Sequence, residues 1–233
     1  MKDINAGKQS AAGLGLESKK DDHLLDFRVY IKLSVLMMGK VTDKVISSYL
    51  NLFQLGGDET AEISLYMARS CLEKGKTEKA IGHFNKALKI DPGSSKAWFG
   101  LGKAYFEEGR IDDALKSYNK TLDVEPDNLA ALKELGKIHI IRNEYDKSLD
   151  YYMKIVKLGK VNSEVYYRIG VVYDYKKKYE EAVEYFKKAI DKDPRVARYY
   201  HSLGFTYESM GNREQAVYYF KKALEYEDRK KAV

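Results

Sequence analysis

Residues 182–190 read AVEYFKKAI, and residues 216–224 read AVYYFKKAL. The two stretches are nearly identical, and they begin 34 residues apart, at positions 182 and 216. A fixed period of this length is typical of chains in which one supersecondary unit stacks on copies of itself. Because a single small unit cannot bury its own apolar face, the repetition predicts a stacked, solenoid architecture.

The same period extends well beyond these two stretches. Pro92, Pro126 and Pro194 lie one or two periods apart, and each follows an acidic residue. Between the first two, the residues from Trp98 to Tyr118 show the spacing W-x2-L-G-x2-Y followed by A-x3-Y. This spacing resembles that of tetratricopeptide (TPR) repeats. The resemblance implies that each unit is a pair of antiparallel helices.

We therefore predict an all-α fold, a TPR superhelix of five in-phase repeats that ends in a short basic tail at 229–233. Small residues such as Gly102 and Gly170 would let the two helices of a unit approach closely. The third repeat departs from the pattern because Ser148 stands where alanine is expected, and the link 157–163 is either a hinge or an ordinary loop. The predicted repeats are residues 61–94, 95–128, 129–162, 163–196 and 197–228.

The period also continues toward the N-terminus. In phase with the later repeats, residues 23–60 predict a degenerate TPR-like helical hairpin. Its small positions have been lost, since Ile46 and Phe53 stand where alanine is expected, so we expect it to pack differently from the others. Residues 1–22 contain no apolar run and are predicted to be a disordered leader that is not a secretory signal.

The first helix of this hairpin is apolar around almost its whole circumference, so one packed face cannot cover it. We predict that it mediates self-assembly by docking onto the next molecule, in that molecule's concave groove. Such a head-to-tail contact is heterologous and builds rings or open chains. The predicted self-assembly residues are Leu24, Leu25, Phe27, Tyr30, Ile31, Leu33, Leu36 and Met37.

The sequence carries no signal of catalysis. The four histidines (23, 83, 139 and 201) lack the spacing of a metal site, and no phosphate-binding glycine loop is present. The single cysteine, Cys71, excludes an internal disulfide and fits a reducing compartment. We predict a non-enzymatic cytoplasmic protein with no metal, cofactor or small-molecule substrate. The net charge of +6 is not concentrated in a tail, and we do not expect nucleic acid as a partner.

The surface is therefore where function is expected. In TPR proteins the first helix of each unit lines the concave face, and here its groove-facing columns alternate cations with apolar and aromatic side chains. That mixture suits an acidic, partly apolar helix or peptide. Asparagine is absent from these columns, which argues against the TPR class that clamps a terminal carboxylate. The predicted groove residues are Arg69, Lys96, Phe99, Lys103, Phe106, Lys133, Lys137, Ile140, Tyr167, Tyr175, Arg198 and His201.

A closer resemblance rests on the hairpin HLLDFRVYIKLSVLMMGKVTDKVISSYLNLFQL (23–55) and on the number and order of the repeats after it. With YYRIGVVYDYKKKYEEAV (166–183) and GFTYESMGNREQAVYYFKKALE (204–225), it resembles the MamA family of magnetosome-associated TPR proteins. The resemblance implies a scaffold that self-assembles and coats the cytoplasmic face of the magnetosome membrane, peripherally, by binding proteins there. The alternative is a monomeric adaptor whose groove captures an acidic peptide.

Overall fold

A computed structural model describes residues 57–231, with side chains described from 60 to 227. This part of the chain contains ten α-helices and no strand. The predicted leader, the predicted self-assembly helix and nearly all of the hairpin at 23–60 lie outside the described residues. The helices are α1 (Gly57–Glu73), α2 (Thr77–Ile90), α3 (Ser95–Glu107), α4 (Ile111–Val124), α5 (Leu129–Ile141), α6 (Tyr145–Lys157), α7 (Ser163–Tyr175), α8 (Tyr179–Lys192), α9 (Ala197–Ser209) and α10 (Arg213–Lys231).

Consecutive helices pack as hairpins, α1 with α2 through to α9 with α10, and each hairpin stacks on the next. The first helices of neighbouring hairpins also contact one another, as α1 with α3 and α7 with α9. Among the described helices, no comparable contact joins two second helices. Because the first helices of neighbouring hairpins contact one another more than the second helices do, the stack bends toward the layer of first helices. The predicted all-α superhelix is confirmed for the described part of the chain.

Each hairpin turns at a residue in the left-handed region of φ. Gly75, Gly109 and Gly211 have φ of 67°, 74° and 77°, which a glycine adopts without steric cost. One period after Gly109, Asn143 takes the same conformation at φ 59°, and Lys177 follows at φ 57°. The period therefore imposes the turn geometry even where the sequence does not supply glycine.

The two helices of a hairpin touch where an aromatic ring meets a glycine. A Cβ atom added to Gly102, Gly136, Gly170 or Gly204 would lie 2.6–2.8 Å from ring carbons of the second helix, closer than real Cβ contacts allow. The absence of a side chain at these four positions is thus required for the observed separation between the first and second helices of each hairpin. The facing rings are Tyr118, Tyr152, Phe186 and Phe220.

The third hairpin tolerates its unusual serine because the hydroxyl has a partner. Ser148 is fully buried, and its Oγ donates to the carbonyl oxygen of Gly136 at 2.8 Å. A buried hydroxyl with a hydrogen bond avoids most of the desolvation cost of an unpaired one. After α6, Gly159 adopts a φ of 67° and the Asn162 side chain accepts from the Val165 amide, which starts α7.

The inward column that holds Tyr105, Tyr173 and Tyr207 holds Cys71 in the first hairpin and His139 in the third. The imidazole is buried and stacks on Tyr151, with ring centroids 5.4 Å apart and planes at 8°. Its Nδ1 lies 2.7 Å from a carboxylate oxygen of Glu144. Hydrogen bonds from Lys147 and from His139 hold the pKa of that carboxyl below its ordinary value. His139 is therefore a packed and partnered core residue.

The glycine contacts generate a test with a matched control. Replacing Gly170 with alanine is expected to lower the free energy of unfolding by about 1–3 kcal/mol, because the Cβ would overlap the Phe186 ring. At Gly82, within α2, an added Cβ would meet no atom within 4 Å, so Gly82→Ala is expected to raise stability by about 0.5–1 kcal/mol. Urea unfolding followed by circular dichroism measures both. Shifts of the same sign would contradict the close-approach argument.

The stacked core generates a second test. Leu203 is fully buried with Ala182 and Phe186 of the preceding hairpin, so Leu203→Ala is expected to cost about 2–5 kcal/mol by leaving a cavity. Ile141 has a similar side-chain size but is 55% exposed, and Ile141→Ala should change stability by less than about 0.5 kcal/mol. Equal losses in the two variants would show that stacking of hairpins does not carry the stability.

Candidate protein-binding groove

The layer of first helices carries all twelve predicted groove residues. They lie on α1, α3, α5, α7 and α9, and each is exposed or half-buried rather than buried. Their side chains are therefore accessible from the side toward which the stack bends. The structure divides them into a cavity near α1, a central pair of helices and a separate cluster near α9.

The cavity encloses about 520 Å³ and brings together four of the predicted residues: Arg69 of α1 with Lys96, Phe99 and Lys103 of α3. Its wall is completed by Ala130 at the start of α5, so three successive first helices shape it. Leu72, Phe84, Gly100 and Asn128 also line the cavity and were not predicted. A concave site with apolar walls and a few charged groups is what a peptide side chain requires.

One glycine explains the apolar floor. A Cβ on Gly100 would lie 2.3 Å from the ring of Phe84, so that ring reaches the cavity only because Gly100 has no side chain. The Phe99 ring also lines the cavity, and its centroid lies 5.5 Å from that of the Tyr118 ring. The positions one period before and one period after Gly100 hold Tyr66 and Glu134, so glycine is not part of the repeat pattern at this position. A glycine inside a helix, at a position where neighbouring repeats carry a side chain, was the feature of the sequence that could have indicated this contact.

Charges at the cavity rim are of both signs. Arg69, Lys96 and Lys103 line the cavity together with Glu73 and Glu125. Glu125 accepts hydrogen bonds from the Ser95 hydroxyl and the Asn128 amide, and these lower the pKa of its carboxyl below the ordinary value. The carboxylate is therefore ionised at neutral pH. A second class of residue, the acidic groups beside the groove, was missed by the sequence prediction.

Internal pairing decides which cations remain available to a partner. The Lys103 ammonium lies 3.9 Å from Glu107, and Lys137 lies 3.5 Å from Glu134. Within the part of the chain that the structure describes, no ion pair within 4 Å involves Arg69 or Lys96. An unpaired cation next to apolar surface gains more from an incoming carboxylate than one already paired. The cavity thus combines two cations that have no ion pair with an aromatic lining.

The central first helices form a second patch, in which Lys137 is engaged by neighbouring side chains. The Lys137 ammonium sits 4.5 Å from the centroid of the Phe106 ring, a cation–π contact that joins α5 to α3. Ile140 packs against the buried cluster around Tyr152, and only part of its surface is available. Lys133, like Arg69 and Lys96, has no ion pair in the described region.

Near α9 the predicted residues mostly bind one another. The Arg198 guanidinium lies 5.0 Å from the centroid of the Tyr167 ring and also pairs with Glu164. His201 Nε2 is 3.1 Å from an oxygen of Glu227. Phe205 was not predicted, although it is 58% exposed and lies in the column of Arg69, Lys103 and Lys137. This cluster is a distinct surface and does not extend the cavity.

Tyr175 is the predicted residue that the structure sets apart. It lies at the end of α7 and stacks on Tyr145 of the preceding hairpin, with ring centroids 5.5 Å apart. The contact joins two hairpins at their edge, away from the cavity and from the cluster near α9. Within residues 57–231, no three His, Cys, Asp or Glu side chains are arranged to hold a metal ion. No helix in the same range has the length and apolarity needed to cross a bilayer.

Comparison with known proteins agrees with this geometry. Models of the tetratricopeptide repeat match residues 71–135, 163–196 and 197–229. No curated protein matches the sequence. A crystal structure of MamA is 33% identical with a TM-score of 0.67, and the alignment covers 71% of this chain and 97% of that one.

Two further structures share the fold at lower identity. MamA from Desulfovibrio magneticus RS-1 is 22% identical with a TM-score of 0.70, covering 75% of this chain and 98% of that one. YrrB, described as a TPR protein with an unusual peptide-binding site, is 23% identical with a TM-score of 0.62, covering 71% and 86%. The repeat matches and the 33% identity to MamA confirm the predicted resemblance, and the chain belongs to the tetratricopeptide repeat family, in which it is similar to the MamA proteins.

Proposed function

We propose that this protein is a non-enzymatic scaffold that self-assembles and recruits other proteins to an organelle surface, peripherally and from the cytoplasmic side. The observation that carries the proposal is the cavity of about 520 Å³ on the layer of first helices, where Arg69 and Lys96 flank the rings of Phe84 and Phe99. The site offers charge and apolar contact to a protein segment. The residues that line this cavity do not form an arrangement that would activate a substrate for reaction.

The groove chemistry specifies the kind of partner. An amphipathic helix with carboxylates on one edge would place its apolar side chains on Phe84 and Phe99 and its charges beside Arg69 and Lys96. Glu73 and Glu125 at the same rim would repel a segment that is acidic all round. The site therefore favours a mixed acidic and apolar sequence over a plain acidic run, and no nucleic acid is needed to satisfy it.

The organelle is proposed from the similarity to MamA, because 33% identity over nearly the whole of that chain supports a related role. On this interpretation the partners are proteins of the magnetosome membrane with acidic or amphipathic segments. Self-assembly is assigned to the apolar first helix predicted at the N-terminus, which includes Ile31, Leu33 and Met37. A scaffold that multiplies its groove by assembly gains avidity for a membrane that displays many copies of a partner.

One observation favours a second function, a monomeric adaptor that captures a peptide. The cavity is built from α1 to α5 of one chain and needs no contribution from another copy. A groove of this kind can bind a partner in a protein that stays monomeric. The two functions differ in the mass of the protein in solution.

Self-assembly is tested by size-exclusion chromatography with light scattering on the full chain. We expect a mass several times that of one chain, rising with concentration, because the predicted first helix cannot bury its apolar surface alone. Leu33→Asp combined with Met37→Asp should shift the protein to monomer with its helical content retained. A full chain that is monomeric at high concentration would replace the scaffold with the adaptor.

Partner binding is tested by charge reversal at the cavity. Arg69→Glu with Lys96→Glu is expected to weaken binding of a labelled acidic amphipathic peptide by roughly tenfold or more, because both cations lack an internal ion pair. Lys116→Glu with Lys120→Glu is the matched control, since both lysines are exposed on α4 and give the same change in net charge. Fluorescence anisotropy measures the dissociation constants. Equal weakening by the control would exclude the cavity as the binding site.

A further inference from the structure

Two neighbouring turns inside the stack differ from the other three described turns. The last residue of the first helix is Glu73, Glu107 or Ser209 in three hairpins, but Ile141 or Tyr175 in the third and fourth. These two apolar side chains are 55% and 56% exposed, although both hairpins have a neighbour on either side. Their exposure is therefore a property of the edge of the stack at which the hairpins turn.

The same two turns keep a side chain where the others have glycine. Asn143 and Lys177 adopt φ of 59° and 57° at the position that holds glycine in the other three turns. A side chain is less favourable than glycine in this region of φ, and such strain commonly persists where the side chain has a use. Asn143 has one, because its Oδ1 accepts from the Tyr145 hydroxyl at 2.8 Å. The Lys177 ammonium makes no hydrogen bond or ion pair in the described region, so no internal contact accounts for it.

The apolar residues of the two turns form one patch, which we call the turn-edge patch: Ile141, Tyr145 and Tyr175. The two tyrosine rings stack across the boundary between hairpins, with centroids 5.5 Å apart and planes at 19°. An ion pair also ties each turn to the preceding second helix. Little side-chain freedom is left to be lost when a partner binds, which favours affinity. The two ion pairs are Arg142 with Asp112 and Lys176 with Asp146.

One cation beside the patch is available to a partner. Lys177 is exposed, stands two residues after Tyr175, and has no carboxylate within 4 Å in the part of the chain that the structure describes. Both of its lysine neighbours have such a carboxylate. An incoming carboxylate therefore gains an ion pair at Lys177 without breaking an internal one. The neighbouring pairs are Lys176 with Asp146 and Lys178 with Glu181.

The rim of the patch carries charges of both signs. Exposed carboxylates, among them Asp146 and Glu180, stand between the basic residues of the two turns. An anionic bilayer would bring many negative charges close to these carboxylates, whereas a protein segment with a single carboxylate avoids them. A centre of Ile and Tyr surrounded by a charged rim is also the usual composition of a protein–protein hot spot. The chemistry of the patch thus favours a protein over a membrane.

We propose that the turn-edge patch is a second docking surface, for an apolar segment of another protein. A large aliphatic or aromatic side chain of that segment contacts Ile141 and Tyr175, and a carboxylate beside it reaches Lys177. The patch lies away from the cavity that contains Arg69 and Lys96. The protein can therefore hold one partner at this edge while the groove is occupied by another.

The patch is tested with a phage-displayed library of random peptides, selected on the full chain. Phage that also bind the full chain carrying Ile141→Ala with Tyr175→Ala are removed, which discards peptides that bind the groove. We expect the remaining peptides to share a large apolar residue close to a carboxylate. If no peptide prefers the unaltered chain, the turn edge is not a docking surface and the inference is wrong.

A selected peptide, fluorescently labelled, then measures the contribution of the aromatic ring. Tyr175→Ala is expected to raise the dissociation constant by roughly tenfold or more in fluorescence anisotropy. Tyr218→Ala is the matched control, because this tyrosine of α10 is 51% exposed and lies outside the patch. Both variants should remain folded by circular dichroism. Equal weakening in the two variants would contradict the assignment of the patch.

Lys177→Gly separates binding from folding. Glycine fits a φ of 57°, so the variant should have a higher melting temperature. The same variant should bind the selected peptide about two- to five-fold more weakly at low salt, with a smaller loss at high salt. A higher melting temperature with unchanged binding would show that Lys177 meets no carboxylate and would overturn the choice of partner.

The remaining outcomes separate this inference from the proposed function. Binding to vesicles of phosphatidylserine and phosphatidylcholine that depends on Tyr175, with no peptide selected, would assign the patch to a membrane and overturn the inference. A lower mass of the Tyr175→Ala chain in light scattering would assign it to a second copy, with the same consequence. Failure of Arg69→Glu with Lys96→Glu to weaken peptide binding at the cavity would count against the groove and leave the patch unaffected.

Discussion

The structure depends on one contact, an aromatic ring of the second helix lying against a first-helix position that has no side chain. At Gly170 and Gly204 the rings of Phe186 and Phe220 occupy the space that a Cβ would need. Ring and backbone in van der Waals contact fix the distance between two helices far more tightly than aliphatic packing alone. Four hairpins share this contact, so the separation of their two helices is set in the same way in each.

Stacking then decides which side chains are left for function. The apolar columns at Ile81, Leu88 and their equivalents are buried between hairpins. The first-helix positions that are not buried in this way form the surface of the layer of first helices. Whether such a position can bind depends on its neighbours. Lys137 is engaged by Glu134 and the Phe106 ring, whereas Lys96 has no ion pair within 4 Å in the described region and acts on Glu125 only at longer range. The receptive part of the groove is therefore a local property of the cavity near α1.

The sequence predicted the parts of the fold that follow from the period. The column of Gly102 and Gly170, the turns at Gly75 and Gly109, and the helical hairpins themselves are all periodic, so one copy supports the interpretation of the next. The prediction was incomplete where two columns interact. Gly100 and Phe84 come from neighbouring hairpins, and nothing in either column alone shows that the ring fills the space above that glycine. The ion pairs could not be predicted for the same reason. The carboxylates that pair with groove cations, Glu107, Glu134 and Glu164, occupy other columns of the repeat. A set of groove cations chosen from sequence therefore overstates the free positive charge.

A periodic stack has a further consequence at its ends. Interior hairpins bury both faces, but an end hairpin has one face with no neighbour, and a protein that stays monomeric commonly makes that face polar. Here α10 keeps Val217 and Leu224 in the columns that the interior uses for packing. Because every unit follows one period, this face of α10 keeps the pattern that the first helix of a following hairpin covers elsewhere in the stack.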